Sequence, residues 1–231
     1  MEQLTSDIIA RRRKGCLRAL LQPAENHAGI LLIGDYTSLS WLHEVIHDVN
    51  DRSPLVKDKE GAFLGLAYDV RKAFEQQREI LQSPQHFEEI GLRYGVKILW
   101  PVLLLQHRLL RLSLAFLSHS AKTQSITYAL EAIIEEALLE DFGAQAKRAI
   151  DLWQRLDPAQ PVVFDMLQSR GAIFCSWTKA QRKAAFLQLL TSFDPMYESY
   201  YAFRLQSGEK NLVSPRDLAV WDNADWPDPR W

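Results

Sequence analysis

Between Ser38 and Asp51 the chain reads SLSWLHEVIHDVND, and within that stretch His43, Glu44 and His47 spell H-E-x-x-H. On a helix, side chains four residues apart share a face, so two imidazoles can reach one Zn²⁺ at about 2.0–2.1 Å. The glutamate between them then takes a proton from the metal-bound water, whose pKa the ion lowers towards about 7. A third protein ligand has to arrive from elsewhere, leaving the fourth position for water. The extended motif would place Gly three and His six residues beyond His47, but Asn50 and Ser53 stand there. A carboxylate from the following helix is the remaining source. Glu60, Glu75, Glu79 and Asp69 are the candidates, and Glu75 is the one taken here for the metal set.

Helical phase supplies the competing reading. Leu39, Leu42, Val45, Ile46 and Val49 form one apolar arc. His43 and His47 fall just outside its edge and Glu44 lies farther round, which is the polar rim of an ordinary amphipathic helix. Asp48, directly after the second histidine, is not what a zinc helix prefers. The pair is then a solvent-edge feature and not a metal site.

The elements that must position these residues follow from pattern and punctuation. LRALL (17–21) and GILLIGDY (29–36) flank PAENHAG and predict two strands of a hairpin. Ser38 or Ser40 caps the helix that carries the histidines to Asn50, and the polar loop NDRSPLVKDKEG follows. From Glu60 to about Ile80, Phe63, Ala67, Val70 and Phe74 recur as a helical stripe. GLRYGVKILW predicts a short strand, and Pro101 opens an apolar helix to about Ser118. Residues 121–156 are helical with a break near Asp141 to Gly143. Thr178 with Gln181 fits a capping box for the next helix, and helix resumes through MYESYYAF. The expected class is α+β and predominantly helical, with a small N-terminal strand pair on a body of five or six helices. The chain reads as a single globular domain over residues 1–231.

Composition narrows the function. The 231 residues are 47% hydrophobic and 24% charged, with a net charge of −2, so no global attraction to nucleic acid or anionic membrane is expected. Two cysteines, Cys16 and Cys175, lie outside any C-x-x-C pattern and suggest neither a disulfide framework nor a cysteine zinc site. The stretch MEQLTSDIIARRRKG has no apolar core before its basic run, so no signal peptide is expected and a cytoplasmic location is. Leu99 to Leu117, interrupted by Gln106, His107, Arg108 and Arg111, reads as a buried helix with one polar edge and not a membrane span.

Three stretches, ENHAGILLIGDYTSLSWLHEVIHDV, EGAFLGLAYDVRKAFEQQREI and VKILWPVLLLQHRLL, resemble an uncharacterised bacterial family known only as a domain of unknown function. The resemblance rests on the strand ending in Gly34-Asp35-Tyr36, on Tyr68-Asp69-Val70-Arg71 and on the Trp100-Pro101 helix start. It covers residues 25 to about 115, implies a bacterial cytosolic protein, and brings no activity with it.

Other groups are candidates for contact. Trp221, Trp226 and Trp231 recur every five residues in the tail (212–231), which is expected to dock on the body or on a partner. Asp69 and Arg71 flank the apolar stripe of their helix and complete the binding set. Arg11, Arg12, Arg13 and Lys14, like Lys179, Arg182 and Lys183, read as solvated helix faces. Nucleic-acid binding through the first of these runs is the third and least supported reading. No nucleophile elbow, phosphate loop or dinucleotide fingerprint occurs. The leading reading is a non-enzymatic binding or interaction protein, accessory or immunity-type. Its partner is a protein or a second copy of the chain, and it needs no cofactor. The alternative is a zinc-dependent hydrolase with Glu44 as general base.

Overall fold

The computed structural model describes residues 21–82 and 91–231. The predicted helix over residues 4–14 with its basic run, Cys16, and the first four residues of LRALL lie outside the described residues.

Leu21–Pro23 (β1) and Gly29–Gly34 (β2) pair antiparallel, Leu21 opposite Leu32, across the PAENHAG turn. Asn26 and His27 sit in that turn with φ of 61° and 53°, and Asn is among the residue types that tolerate this region. Asp35 opens the next helix, accepting from the Ser38 N–H at 2.6 Å, and Tyr36–Arg52 (α1) carries the histidine pair. The cap is therefore Asp35 and not Ser38 or Ser40. Gly61 precedes Ala62–Phe74 (α2), whose stripe Phe63, Ala67 and Val70 is buried as the periodicity requires.

The helix predicted to about Ile80 stops at Phe74. Gln76 takes a left-handed conformation (φ 62°) and Glu79–Leu81 (β3) pairs with Arg93–Leu99 (β4). β4 also pairs with β2 in antiparallel register, Ile30 opposite Ile98 and Leu32 opposite Val96. The sheet is thus four-stranded in the order β1-β2-β4-β3, and the expected strand pair is its first half. Gly29 is needed at the β2–β4 contact, because a Cβ there would lie 1.9 Å from the Ile98 carbonyl oxygen. The sheet face bearing Ile30, Leu32, Val96 and Ile98 is buried in the main core.

Trp100–Ser113 (α3) follows β4 without a loop, with Pro101 in its first turn where a missing N–H costs nothing. Ten of its residues are buried, so it is apolar on nearly every side and forms the axis of the helical body. It ends at Ser113, short of the expected Ser118, and passes into a 3₁₀ turn over Leu114–Phe116.

Ala121–Phe142 (α4) and Ala146–Arg155 (α5) are separated at Gly143 (φ 54°), where the break was expected. Pro161–Ser176 (α6) occupies a stretch in which no element was expected. Lys179–Thr191 (α7) begins with the capping box, Thr178 and Gln181 satisfying each other's backbone N–H groups. Tyr197–Gln206 (α8) and Pro215–Ala219 (α9) complete the described fold. The class is α+β and predominantly helical, with nine α-helices among the described residues where five or six were expected.

Side chains lock these layers together. Asp141, at the end of α4, accepts from His27 Nδ1 at 2.6 Å and from Trp100 Nε1 at 2.8 Å, joining the β1–β2 turn to the start of α3. The rings of Phe142 and Phe186 stack at 4.1 Å beside it. Arg182 corrects the solvated-face expectation, being 0% exposed. It donates to the carbonyls of Phe174 and Cys175 at the end of α6, of Asn26 in the first turn, and of Arg230 in the tail. A cation at a helix C-terminus is favoured by the exposed carbonyls there, and these bonds compensate its burial.

The tail tryptophans all turn towards the body. Trp221, Trp226 and Trp231 are half-buried against the core. Trp226 donates to Gln168 Oε1 at 3.1 Å and lies flush on Gly171, where a Cβ would stand 2.0 Å from the ring. Leu218, just before them, is buried.

Candidate functional site

The histidine pair is brought together by α1. The His43 and His47 rings lie 4.4 Å apart, and His43 meets the Phe74 ring of α2 edge-on at 5.8 Å. Burial lowers the His43 pKa; the neighbouring His47 and Arg71 act in the same direction, and Glu44 and Glu75 oppose them. Glu44 points elsewhere and pairs with Lys122 of α4 at 2.8 Å. Glu75 forms a 3.8 Å ion pair with Arg71, one turn earlier on the same helix. Among the described residues no three His, Cys, Asp or Glu side chains come together in a metal-holding group. A zinc site needs a third ligand beside two imidazoles, and among the described residues none joins His43 and His47.

The binding candidates separate into two places. Arg71 lies over the Tyr68 ring at 5.3 Å on the α1–α2 surface. Asp69, two residues away along α2, turns to the opposite side and meets Trp231 from the tail across an open cleft of about 600 Å³. Gln77, Arg78, Glu79, Gly95 and Lys97 complete its lining. Trp221 and Trp226 lie outside this lining.

Each wall of the cleft has a sequence cause. The left-handed turn at Gln76 swings the chain away from the end of α2, so that Arg78 leads into the edge strand β3 at Glu79. Glu79 and Gly95 are register partners, and Lys97 follows two residues along β4 on the same face. Trp231 is held because its carbonyl oxygen and that of Arg230 both accept from Asn26 Nδ2, at 3.1 and 3.4 Å.

Charges of both signs face the opening. Lys97 Nζ lies 3.7 Å from Glu79 Oε1 and 5.9 Å from the Trp231 ring centroid, a cation over an aromatic face. Burial raises the Asp69 pKa, and the nearby Arg78 and Lys72 oppose that rise. Two carboxylates, two cations and an indole thus share one opening. The lining contains no Ser, Thr, Cys or His, and its ionisable side chains are Asp69, Arg78, Glu79 and Lys97.

Asp69 and Trp231 stand out in the sequence as binding candidates and Glu79 only as a metal candidate, while Gln77 and Arg78 continue the helical pattern of α2. The signal for the turn was weak, a run EQQRE with no glycine. Among the described residues no helix is long and apolar enough to cross a membrane.

No curated protein and no solved structure matches the chain. A family model does, over residues 20–231, which extends well beyond residues 25–115 that carried the resemblance. The chain belongs to the family described as Domain of unknown function (DUF6904).

Proposed function

We propose that this chain is a non-enzymatic binding protein of the bacterial cytoplasm, and that the cleft between α2, β3–β4 and the tail recognises a charged segment of a protein partner. The observation that carries this reading is the lining itself: charged groups of both signs, Asp69, Arg78, Glu79 and Lys97, gathered around Trp231. Such a set supports recognition by ion pairing and ring contact, where aromatic and cationic side chains dominate contact energies.

The tail then has two roles, closing the body through Trp226 and presenting Trp231 to the partner. The test is quantitative capture from lysate of a bacterium that carries the protein, comparing wild type with Lys97→Glu and Asp69→Lys. Both positions are polar and off the core, so the variants keep the fold. A protein enriched by wild type and depleted by both reversals supports the reading. Capture that is identical for all three chains removes the cleft from recognition.

A further inference from the structure

A second cavity, of about 230 Å³, opens on the far side of the helical body between α6, α8 and α9. Its charged lining has an unusual order. Arg170 stands in it at 9% exposure, while Asp194, Glu198 and Asp222 stand in it as exposed carboxylates. Met166 and Leu218 supply apolar wall.

Arg170 is incompletely satisfied. Nη1 donates to Ser169 Oγ at 3.0 Å and Nη2 to the Ser192 carbonyl oxygen at 2.9 Å, both neutral acceptors. The Nε–H is buried and has no acceptor, and among the described residues the guanidinium forms no ion pair. A guanidinium carries five N–H donors, of which two are paired here to neutral acceptors, and a buried cation is costly unless it meets an anion. The three carboxylates line the same cavity and form no ion pair with the guanidinium, although Asp222 lies near enough to favour its charge. Asp194 is itself partly engaged, Oδ1 accepting from the Met196 N–H at 2.8 Å.

We propose that this cavity binds a small zwitterion of the α-amino-acid class, its carboxylate at the Arg170 guanidinium and its ammonium among Asp194, Glu198 and Asp222. A simple anion meets three carboxylates on its way in, and a simple cation meets a guanidinium in the wall. A ligand bearing both charges on adjacent atoms satisfies both. Met166 and Leu218 leave room for a small uncharged side chain and favour it over a charged one.

Calorimetric titration of the full chain with L-alanine and L-valine tests this, against propionate and ethylammonium at matched ionic strength. Saturable binding of the amino acids at millimolar concentration is expected, with the two single-charge probes weaker by about tenfold or more. Glu198→Gln with Asp222→Asn, both exposed and outside the core, is expected to weaken the amino acids by a similar factor, and Arg170→Met to abolish binding. Should Arg170→Met fail to fold, the carboxylate pair carries the test alone. No saturable binding to wild type, ethylammonium binding as tightly as L-alanine, or an unchanged affinity in the Glu198/Asp222 variant each overturns the proposal.

Discussion

Acidification should destabilise this fold through one side chain, His107. The ring is 1% exposed on α3, 5.1 Å from the Trp153 ring, and Nε2 lies 3.3 Å from the Thr127 carbonyl oxygen. A carbonyl only accepts, so Nε2 carries the proton and the ring is neutral, with Nδ1 buried and unpaired. Burial lowers its pKa to about 4, and the charges of Arg108 and Arg111 act the same way against the Thr127 bond.

The sign follows directly. In the unfolded chain the imidazole binds a proton below its ordinary value of about 6.5. In the folded chain it does not do so until about pH 4. Between those values the unfolded state holds more protons, so stability falls as pH falls and the loss levels off below about pH 4. The full displacement corresponds to about 3 kcal/mol, and about 2 kcal/mol of it is lost by pH 5. Against a total of about 5–15 kcal/mol that is a large share.

Urea unfolding of wild type and His107→Gln between pH 7 and pH 4.5 isolates the effect, because the carboxylates common to both cancel in the difference. Glutamine stays neutral and keeps an N–H for Thr127. Wild type should lose stability relative to the variant as pH drops, by about 2 kcal/mol at pH 5. Parallel pH profiles, or a His107 ring titrating near its ordinary value by NMR, would refute the reasoning.

Other side chains give equally definite outcomes. Gly171→Ala drives a methyl into the Trp226 ring, so the fold should lose about 1–3 kcal/mol in denaturant and the tail indole should gain solvent exposure by fluorescence quenching. Asp141→Ala strands the buried Trp100 N–H and should cost about 1–3 kcal/mol by thermal or chemical unfolding, whereas Asp141→Asn, which keeps an acceptor, should cost less. Elemental analysis of protein purified without added metal should find zinc far below one equivalent, and His43→Ala with His47→Ala should leave that value unchanged. Zinc near one equivalent in wild type and lost in the variant would restore the hydrolase reading.

Local rules made much of the fold legible before any coordinates. The Thr178–Gln181 capping box, Pro101 in the first turn of α3, the break at Gly143 and the Phe63–Ala67–Val70 stripe each act within a few residues, and each reads straight from the sequence. Long-range burial was not legible. α6 is enclosed along most of PVVFDMLQSRGAIFCS, so it lacks the alternation of faces that marks an amphipathic helix. β3 has three residues and gains its identity only by pairing with β4. Arg182 lies in a run of basic letters whose ordinary fate is solvent; its burial depends on the end of α6, the Asn26 turn and the tail arriving together.

The cleft shows the same division. Asp69 and Trp231 were separately visible as candidates, but their meeting requires the Gln76 turn and the Asn26–Trp231 bond, neither encoded in a local pattern. The H-E-x-x-H letters were the most visible chemistry in the sequence. The fold gives their glutamate to Lys122 and leaves the imidazoles packed on each other, with His43 also against Phe74.

The most direct measurement is site-specific photo-crosslinking in the host cell, with a benzophenone amino acid replacing Gln77 in the cleft or the exposed Leu139 on α4 as the control. The account predicts a discrete crosslinked protein at Gln77, absent at Leu139 and lost when Lys97→Glu is added. Crosslinks that are equal at both positions, or that persist with Lys97→Glu, would contradict it.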